Sequence, residues 1–337
     1  MPEALPSYRE LPIREGLPPK SAWGLFGDDD QLGTLNLLTP ERVCEAAQLV
    51  RKGTVIALGL PLEQPRRPEG GRRGNIGHHM IDQGYGPDFT GEEADDETPS
   101  IRGRDDYVSE LWLQGSSQWD GLTHVLYKGQ NYNGVPDEDI HGGPGTKLGV
   151  DQWAARGIVG RGVLLDVARY LDSVGRPLDL SSNYGITVED LQATMAMENV
   201  EIQAGDIMLF RTGWVPYLVS AEDAVRAQML GSGMGGAKAP GLEVSDRMLE
   251  FLWDLHVSAI AADNMSVEQF PPPRPVDEFK MHKNWLPLWG MPLGEYWALD
   301  ALAADCAEDG RYTFLLVSVP LNVRGGVGSP CQAVAIK

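Results

Sequence analysis

The feature that most narrows the choice of fold is a set of short apolar runs separated by helical patterns. Gly162-Val163-Leu164-Leu165-Asp166-Val167 and Asp206-Ile207-Met208-Leu209-Phe210-Arg211 are two of them, and residues 257–262 and 312–319 are two more. Their length and β-branched or aromatic content predict strands, as they do for 54–60 and 107–114. Thr39-Pro40-Glu41-Arg42 reads as a helix start, with a Thr cap, Pro at the first position and an acid behind it. Thr187-Val188-Glu189-Asp190 opens another helix with an acid at the capping-box position, and residues 244–256 and 294–308 carry helical periodicity. Strands mixed with helices, without strict βαβ regularity, predict an α/β or α+β domain.

The chain has 337 residues, with 40 Gly and 24 Pro, so many loops are expected. Residues 1–38 read as irregular structure wrapped over the body. Residues 61–106 hold two Arg-Arg pairs and the acidic run 92–97, and read as a long surface excursion that is functional or mobile. No repeat and no clean linker divides the sequence. The reading is an N-terminal region, 1–106, packed on a catalytic region, 107–337, in one structural domain. Hydrophobic residues at 42% permit a sizeable core.

Lys plus Arg is 28 and Asp plus Glu is 48, a formal charge of −20. Such a surface repels phosphate backbones and anionic membranes, so neither nucleic acid nor lipid is an expected partner. Cys44, Cys306 and Cys331 are odd in number and form no CxxC pair, which favours thiols in a reducing compartment. No basic, apolar leader opens the sequence, and no apolar run approaches the ~20 residues of a membrane span. A cytoplasmic location is expected.

Two clusters carry chemistry. In the first, Gln114, Gln118, Asp120 and His124 stand at even intervals, so an extended chain points all four to one face. Gly115 and Gly121 can break that register, leaving the alternative of ordinary strand glutamines and a hydrogen-bonded core histidine. The second cluster is His282 followed by Glu295. Of the remaining histidines, His256 reads as a helix C-terminal residue and His141 as part of a turn. His78 and His79 lie in the excursion, from which a lid could bring them to a site. HExxH, Walker, GxSxG and CxxC motifs are absent, and 231–236 reads as a flexible glycine-rich connection.

Gly160-Arg161-Gly162-Val163-Leu164-Leu165-Asp166-Val167 and Gly205-Asp206-Ile207-Met208-Leu209-Phe210-Arg211-Thr212-Gly213-Trp214 resemble two signatures of the cyclase family, which includes bacterial kynurenine formamidase and isatin hydrolase. Pro240-Gly241-Leu242 and Ala262-Asp263-Asn264-Met265-Ser266-Val267-Glu268 resemble two later family segments in the same order. The resemblance covers about residues 107–320 and implies a swivelling β/β/α-type fold with a mixed central sheet. The family motif HxGTHxDxPxH aligns with residues 114–124, where both histidine ligands become Gln114 and Gln118 and the proline becomes Leu122.

The resemblance thus implies a metal site of Asp120, His282 and Glu295, completed by Gln118 and Gln114, with His124 and Glu295 catalytic and His124 moving the proton. Gly290 and Gly294 fall where that segment would turn into a helix. Exchanging imidazole for amide oxygen moves the preference from Zn²⁺ or Mn²⁺ toward harder ions such as Mn²⁺ or Mg²⁺, or else the metal is lost. With a metal, the expected reaction is hydrolysis of an amide, lactam or lactone of a small aromatic molecule. Without one, Asp120 and His124 would serve as an acid/base pair for cyclisation, dehydration or lactone opening, or the scaffold would bind a small molecule without turnover. Trp119, Tyr127, Trp214, Trp285 and His79 are the candidate substrate contacts, each tryptophan having core packing as its alternative. A homo-oligomer is also implied.

Overall fold

The computed structural model describes residues 5–68, 71, 73–85, 101–230, 237–274 and 280–337, with the backbone alone for 82–85 and 101–103. The acidic run 92–97 and the connection 231–236 lie outside the described residues. The strands, in chain order, are β1 (Val55–Ala57), β2 (Gly77–Tyr85), β3 (Ile101–Ser109), β4 (Gln118–Asp120), β5 (Ile158–Leu165), β6 (Gly185–Ile186) and β7 (Ile207–Phe210). They continue as β8 (Gly241–Leu242), β9 (Ala259–Ala262), β10 (Leu293–Glu295), β11 (Thr313–Ser318), β12 (Gly328–Pro330) and β13 (Ala333–Ile336).

Nine of these form one mixed sheet in the order β1-β13-β11-β5-β7-β9-β10-β4-β12. The run from β5 to β10 is parallel and the flanking pairs are antiparallel. β12 is last in that order and β13 second, yet only Cys331 and Gln332 separate them in sequence. The sheet must therefore curl until its ends approach. Side chains close the gap: Trp119 Nε1 on β4 donates to Ser318 Oγ on β11 at 2.9 Å, and Ser318 Oγ donates to the Cys331 carbonyl at 2.5 Å.

The strands expected at 162–167, 206–211, 257–262 and 312–319 appear as β5, β7, β9 and β11. β7 and β9 are buried along their whole length, which is why their sequences run apolar without alternation. Thr39 caps helix Pro40–Ala47, and Thr187 with Asp190 forms a reciprocal capping box on helix Val188–Glu198. Helix Asp246–Asp254 is capped by Ser245. His256 follows in left-handed backbone against Trp253, and burial lowers its pKa, so it is poorly suited to the helix-end cation role.

Two expectations need correction. The run 107–114 is strand only to Ser109, where β3 ends; residues 110–117 are irregular chain and turns beyond a hairpin of β2 and β3. Nor does a helix fill 294–308. Residues 293–295 are β10, Gly294 lies inside that strand, and the helix is Asp300–Asp309. Periodicity ran through the junction because buried strand and buried helix are both apolar there. Gly290 instead ends a π-helical stretch, Asn284–Trp289, at φ 72°.

Among the described residues no helix is long and apolar enough to cross a membrane. The segments Asp166-Val167 and Arg211-Thr212-Gly213 have structural work: Asp166 caps helix Val167–Ser173 and pairs with Arg211 at 2.9 Å. Asp263 accepts from Thr212 N, Thr212 Oγ1 and Gly213 N at 2.6–2.7 Å, tying β7 to β9.

Candidate metal centre and catalytic site

β4 pairs with β10 so that Asp120 stands opposite Leu293 and Gln118 opposite Glu295. Cross-strand partners share a face, so Gln118, Asp120 and Glu295 project to one side and Trp119 to the other. His282 reaches the same point from the short helix Lys280–Lys283. Ligand atoms of Asp120, His282 and Glu295 all lie within 4.8 Å of one another, and all three residues are buried.

His282 Nδ1 is 2.6 Å from Glu268 Oε2 and its Nε2 is 3.3 Å from Glu295 Oε1. Gln118 Nε2 donates to Asp120 Oδ1 at 3.1 Å and to Glu295 Oε2 at 2.9 Å. Burial, and after it the charge of Asp120, pushes the Glu295 carboxyl up to about 7. Burial disfavours a charged His282, but the carboxylates of Glu268 and Glu295 outweigh it and hold the ring well above the usual imidazole value. The site thus holds more buried negative charge than its own residues neutralise.

That imbalance, with Asp120 Oδ2 buried and without a hydrogen-bond partner, fits a divalent cation between Asp120, His282 and Glu295. Glu268 would orient His282 by accepting its Nδ1–H, leaving Nε2 for the ion. Gln118 Oε1 is likewise buried and unpartnered, so reversing the amide would offer that oxygen as a further ligand.

The even-spaced quartet is brought together only in part by strand geometry. Gln118 and Asp120 lie on β4, while Gln114 and His124 come from turns on either side. His124 Nε2 lies 3.9 Å from Asp120 Oδ1, and its side chain is one-fifth exposed, so it borders the opening of the site. Gln114 is buried at the Gly328 position of β12, and Gly328 pairs with Asp120.

Three of the expected substrate contacts are elsewhere. Trp119 is a core side chain, edge-on to Trp297, because strand alternation turns it away from Asp120. Trp214 is fully buried in a separate apolar cluster, its indole donating to the Lys238 carbonyl. His79 is exposed on the hairpin, stacked on Tyr107 and bonded to Ser109. Trp285 is buried with its ring 6.2 Å from that of His282 and its Nε1 unpartnered. Tyr127 is half-buried, with Lys128 over its ring. Sequence reasoning gave no role to Glu268, although it ends one of the segments carrying the resemblance. It also passed over Arg67 and Arg73, which lie in the Arg-Arg pairs of the excursion.

The Cyclase family model matches residues 48–269, more than half of the chain, and stops before His282 and Glu295. A solved structure described as a novel cyclase is 35% identical, covers 94% of this chain and 99% of its own, and superposes with a TM-score of 0.77. Isatin hydrolase A from Labrenzia aggregata, bound to benzyl benzoate, is 18% identical with a TM-score of 0.55, covering 86% of this chain and 94% of that one. An isatin hydrolase bound to the product analogue thioisatinate is 17% identical with a TM-score of 0.52, covering 86% and 93%. Among curated proteins none matches.

Proposed function

Because this chain is a member of the cyclase family, we propose that it is a hydrolase opening an amide, lactam or lactone of a small aromatic molecule, with a divalent cation held by Asp120, His282 and Glu295. The observation carrying this reading is the meeting of those three buried donors from β4, β10 and the 280–283 helix, with His124 at the rim. When bound, the cation supplies Lewis acidity and makes a nearby water a stronger acid. The choice among Mn²⁺, Mg²⁺ and Zn²⁺ follows the amide of Gln118, whose hard oxygen favours Mn²⁺ or Mg²⁺.

The protein groups divide the remaining work. His124, an imidazole of the kind that exchanges protons near neutral pH, takes the proton of the attacking water and returns it to the departing amine or alcohol. Glu268 holds His282 through Nδ1. Trp285, fully buried with its ring 6.2 Å from that of His282, backs the imidazole from the core side. The proposal includes a homo-oligomer and a cytoplasmic setting. Sedimentation of the purified chain tests the first.

One observation favours a second reading. Gln118 Nε2 bonds both carboxylates, taking the bridging place of a cation, so a metal-independent acid/base pair of Asp120 and His124 is the alternative. Elemental analysis of protein purified without chelator separates the two. The hydrolase reading expects a stoichiometric divalent ion that falls sharply in Asp120→Asn. A metal-free protein with full turnover would establish the alternative instead.

A further inference from the structure

Two guanidinium groups bond the backbone of the turn that precedes β4, in a chain of formal charge −20. Arg67 and Arg73 come from the loop before β2, whose ends are tied together by Asn75: Arg67 N donates to Asn75 Oδ1 at 2.7 Å, and Asn75 Nδ2 donates back to the Arg67 carbonyl at 2.9 Å. Arg67 Nη2 donates to the Gly115 carbonyl at 3.0 Å and its guanidinium lies 5.6 Å from the Tyr296 ring centre. Arg73 Nη1 donates to the Gln114 carbonyl. That bond fixes Arg73 on the turn whose glutamine side chain reaches the Asp120 face, and its positive charge favours an ionised Glu295. Among the described residues neither arginine is in salt-bridge contact with a carboxylate; Arg67 also donates from Nε to the Gly115 carbonyl at 3.3 Å, whereas the one side-chain bond of Arg73 is to the Gln114 carbonyl.

The turn they clamp carries Gln114. Gly328 pairs with Asp120 across β12 and β4, so a side chain at 328 would lie on the Asp120 face. Gln114 takes that space instead: a Cβ on Gly328 would come within 2.6 Å of Gln114 Nε2. Gln114 is 9% exposed, and Nε2 is buried with no acceptor. A buried amide N–H without an acceptor is costly, so a site that keeps one has an acceptor to receive.

We infer that Gln114 and Arg73 form a subsite for a carboxylate on the substrate or product, beside the reacting carbonyl, with Arg67 holding the same turn through the Gly115 carbonyl. A carboxylate is acceptor-only and planar, matching a guanidinium fork and an amide N–H together. Gln114 is then a substrate-binding residue rather than a metal ligand. This subsite rests on the hydrolase reading for its place beside the reacting group, and its binding chemistry is tested without turnover.

The probes are benzoate and its neutral analogue benzamide, titrated calorimetrically into the protein as purified, into Arg73→Gln and Gln114→Ala, and into Asp120→Asn. The subsite requires benzoate to bind more tightly than benzamide. Arg73→Gln should weaken benzoate at least about tenfold while leaving benzamide near its original value. Gln114→Ala should weaken both, and Asp120→Asn should leave the preference for benzoate intact. Equal affinity for the two probes in the unaltered protein overturns the inference. So does a preference that survives Arg73→Gln but disappears in Asp120→Asn, because the carboxylate then goes to the cation. Loss of hydrolysis with the benzoate preference retained would count against the reaction alone.

Discussion

Trp119 and Asp120 are neighbours in sequence with opposite fates, one in the core and one in the site, because a strand reverses its side chains at every step. That rule made Gln118 and Asp120 legible as a pair, and it also shows why Trp119 is no pocket wall. His124 is the residue on which turnover should depend most: His124→Ala is expected to lower kcat by ~10²–10⁴ with the metal content unchanged. Near-normal kcat in that variant would remove His124 from proton transfer. A second prediction concerns Glu198, buried on helix Val188–Glu198 with Oε1 accepting from Asp166 N at 2.8 Å and Oε2 unpartnered. Burial raises its carboxyl from 4.5 to about 8. The fold therefore prefers the protonated form, and this stabilisation is complete below the unfolded value and is lost as pH rises through the folded one. Glu198→Gln keeps the acceptor for Asp166 and cannot ionise, so its melting temperature should fall less than that of the unaltered protein between about pH 5 and about pH 8. Parallel melting curves across that window would assign the pH dependence to other groups.

At the scale of elements, capping chemistry and buried strands were readable because their causes are local. Thr39 and Thr187 each bond the backbone three residues on, and those helices begin where their caps predict; Ser245 bonds Met248 N in the same way and starts its helix two residues inside the expected 244–256. The segment 284–299 was less legible. Its π-helical turn, three-residue strand and later helix follow one another without a polar break, and the helical period over 294–308 begins inside the strand. The decision lies in β9: Gly294 packs on Ala261 of the neighbouring parallel strand, which only a residue without a side chain can do. A Cβ there would sit 2.5 Å from Ala261 Cβ and 2.7 Å from Trp297 Nε1. Gly294→Ala is accordingly expected to cost about 1–3 kcal/mol in urea unfolding and, by displacing Glu295, to weaken metal binding. Unchanged stability would mean that β9 and β10 can separate freely.

For the whole molecule, the strand and helix pattern implied an α/β or α+β domain and the family resemblance a mixed sheet, whereas neither implied its curl. The curl brings β4 opposite β11 and lets two residues join strands at opposite ends of the sheet order. Ser318 serves both closures, accepting from Trp119 and donating to Cys331. Ser318→Ala leaves the indole N–H and that carbonyl without their partner, at an expected cost of about 1–3 kcal/mol measured by chemical denaturation. A smaller loss would show that the ends of the sheet are held chiefly by apolar packing. By itself the sequence determined the strand-forming runs, the helix caps, and the residue types able to hold an ion or move a proton, since each depends on neighbours a few positions away. Only the tertiary structure decided that Asp120, His282 and Glu295 share one small volume and that Glu268 buttresses the imidazole. It likewise decided that two arginines from the N-terminal excursion hold the turn that carries Gln114. Those relations join residues up to two hundred positions apart, and they exist only once sheet pairing and burial have drawn the chain together.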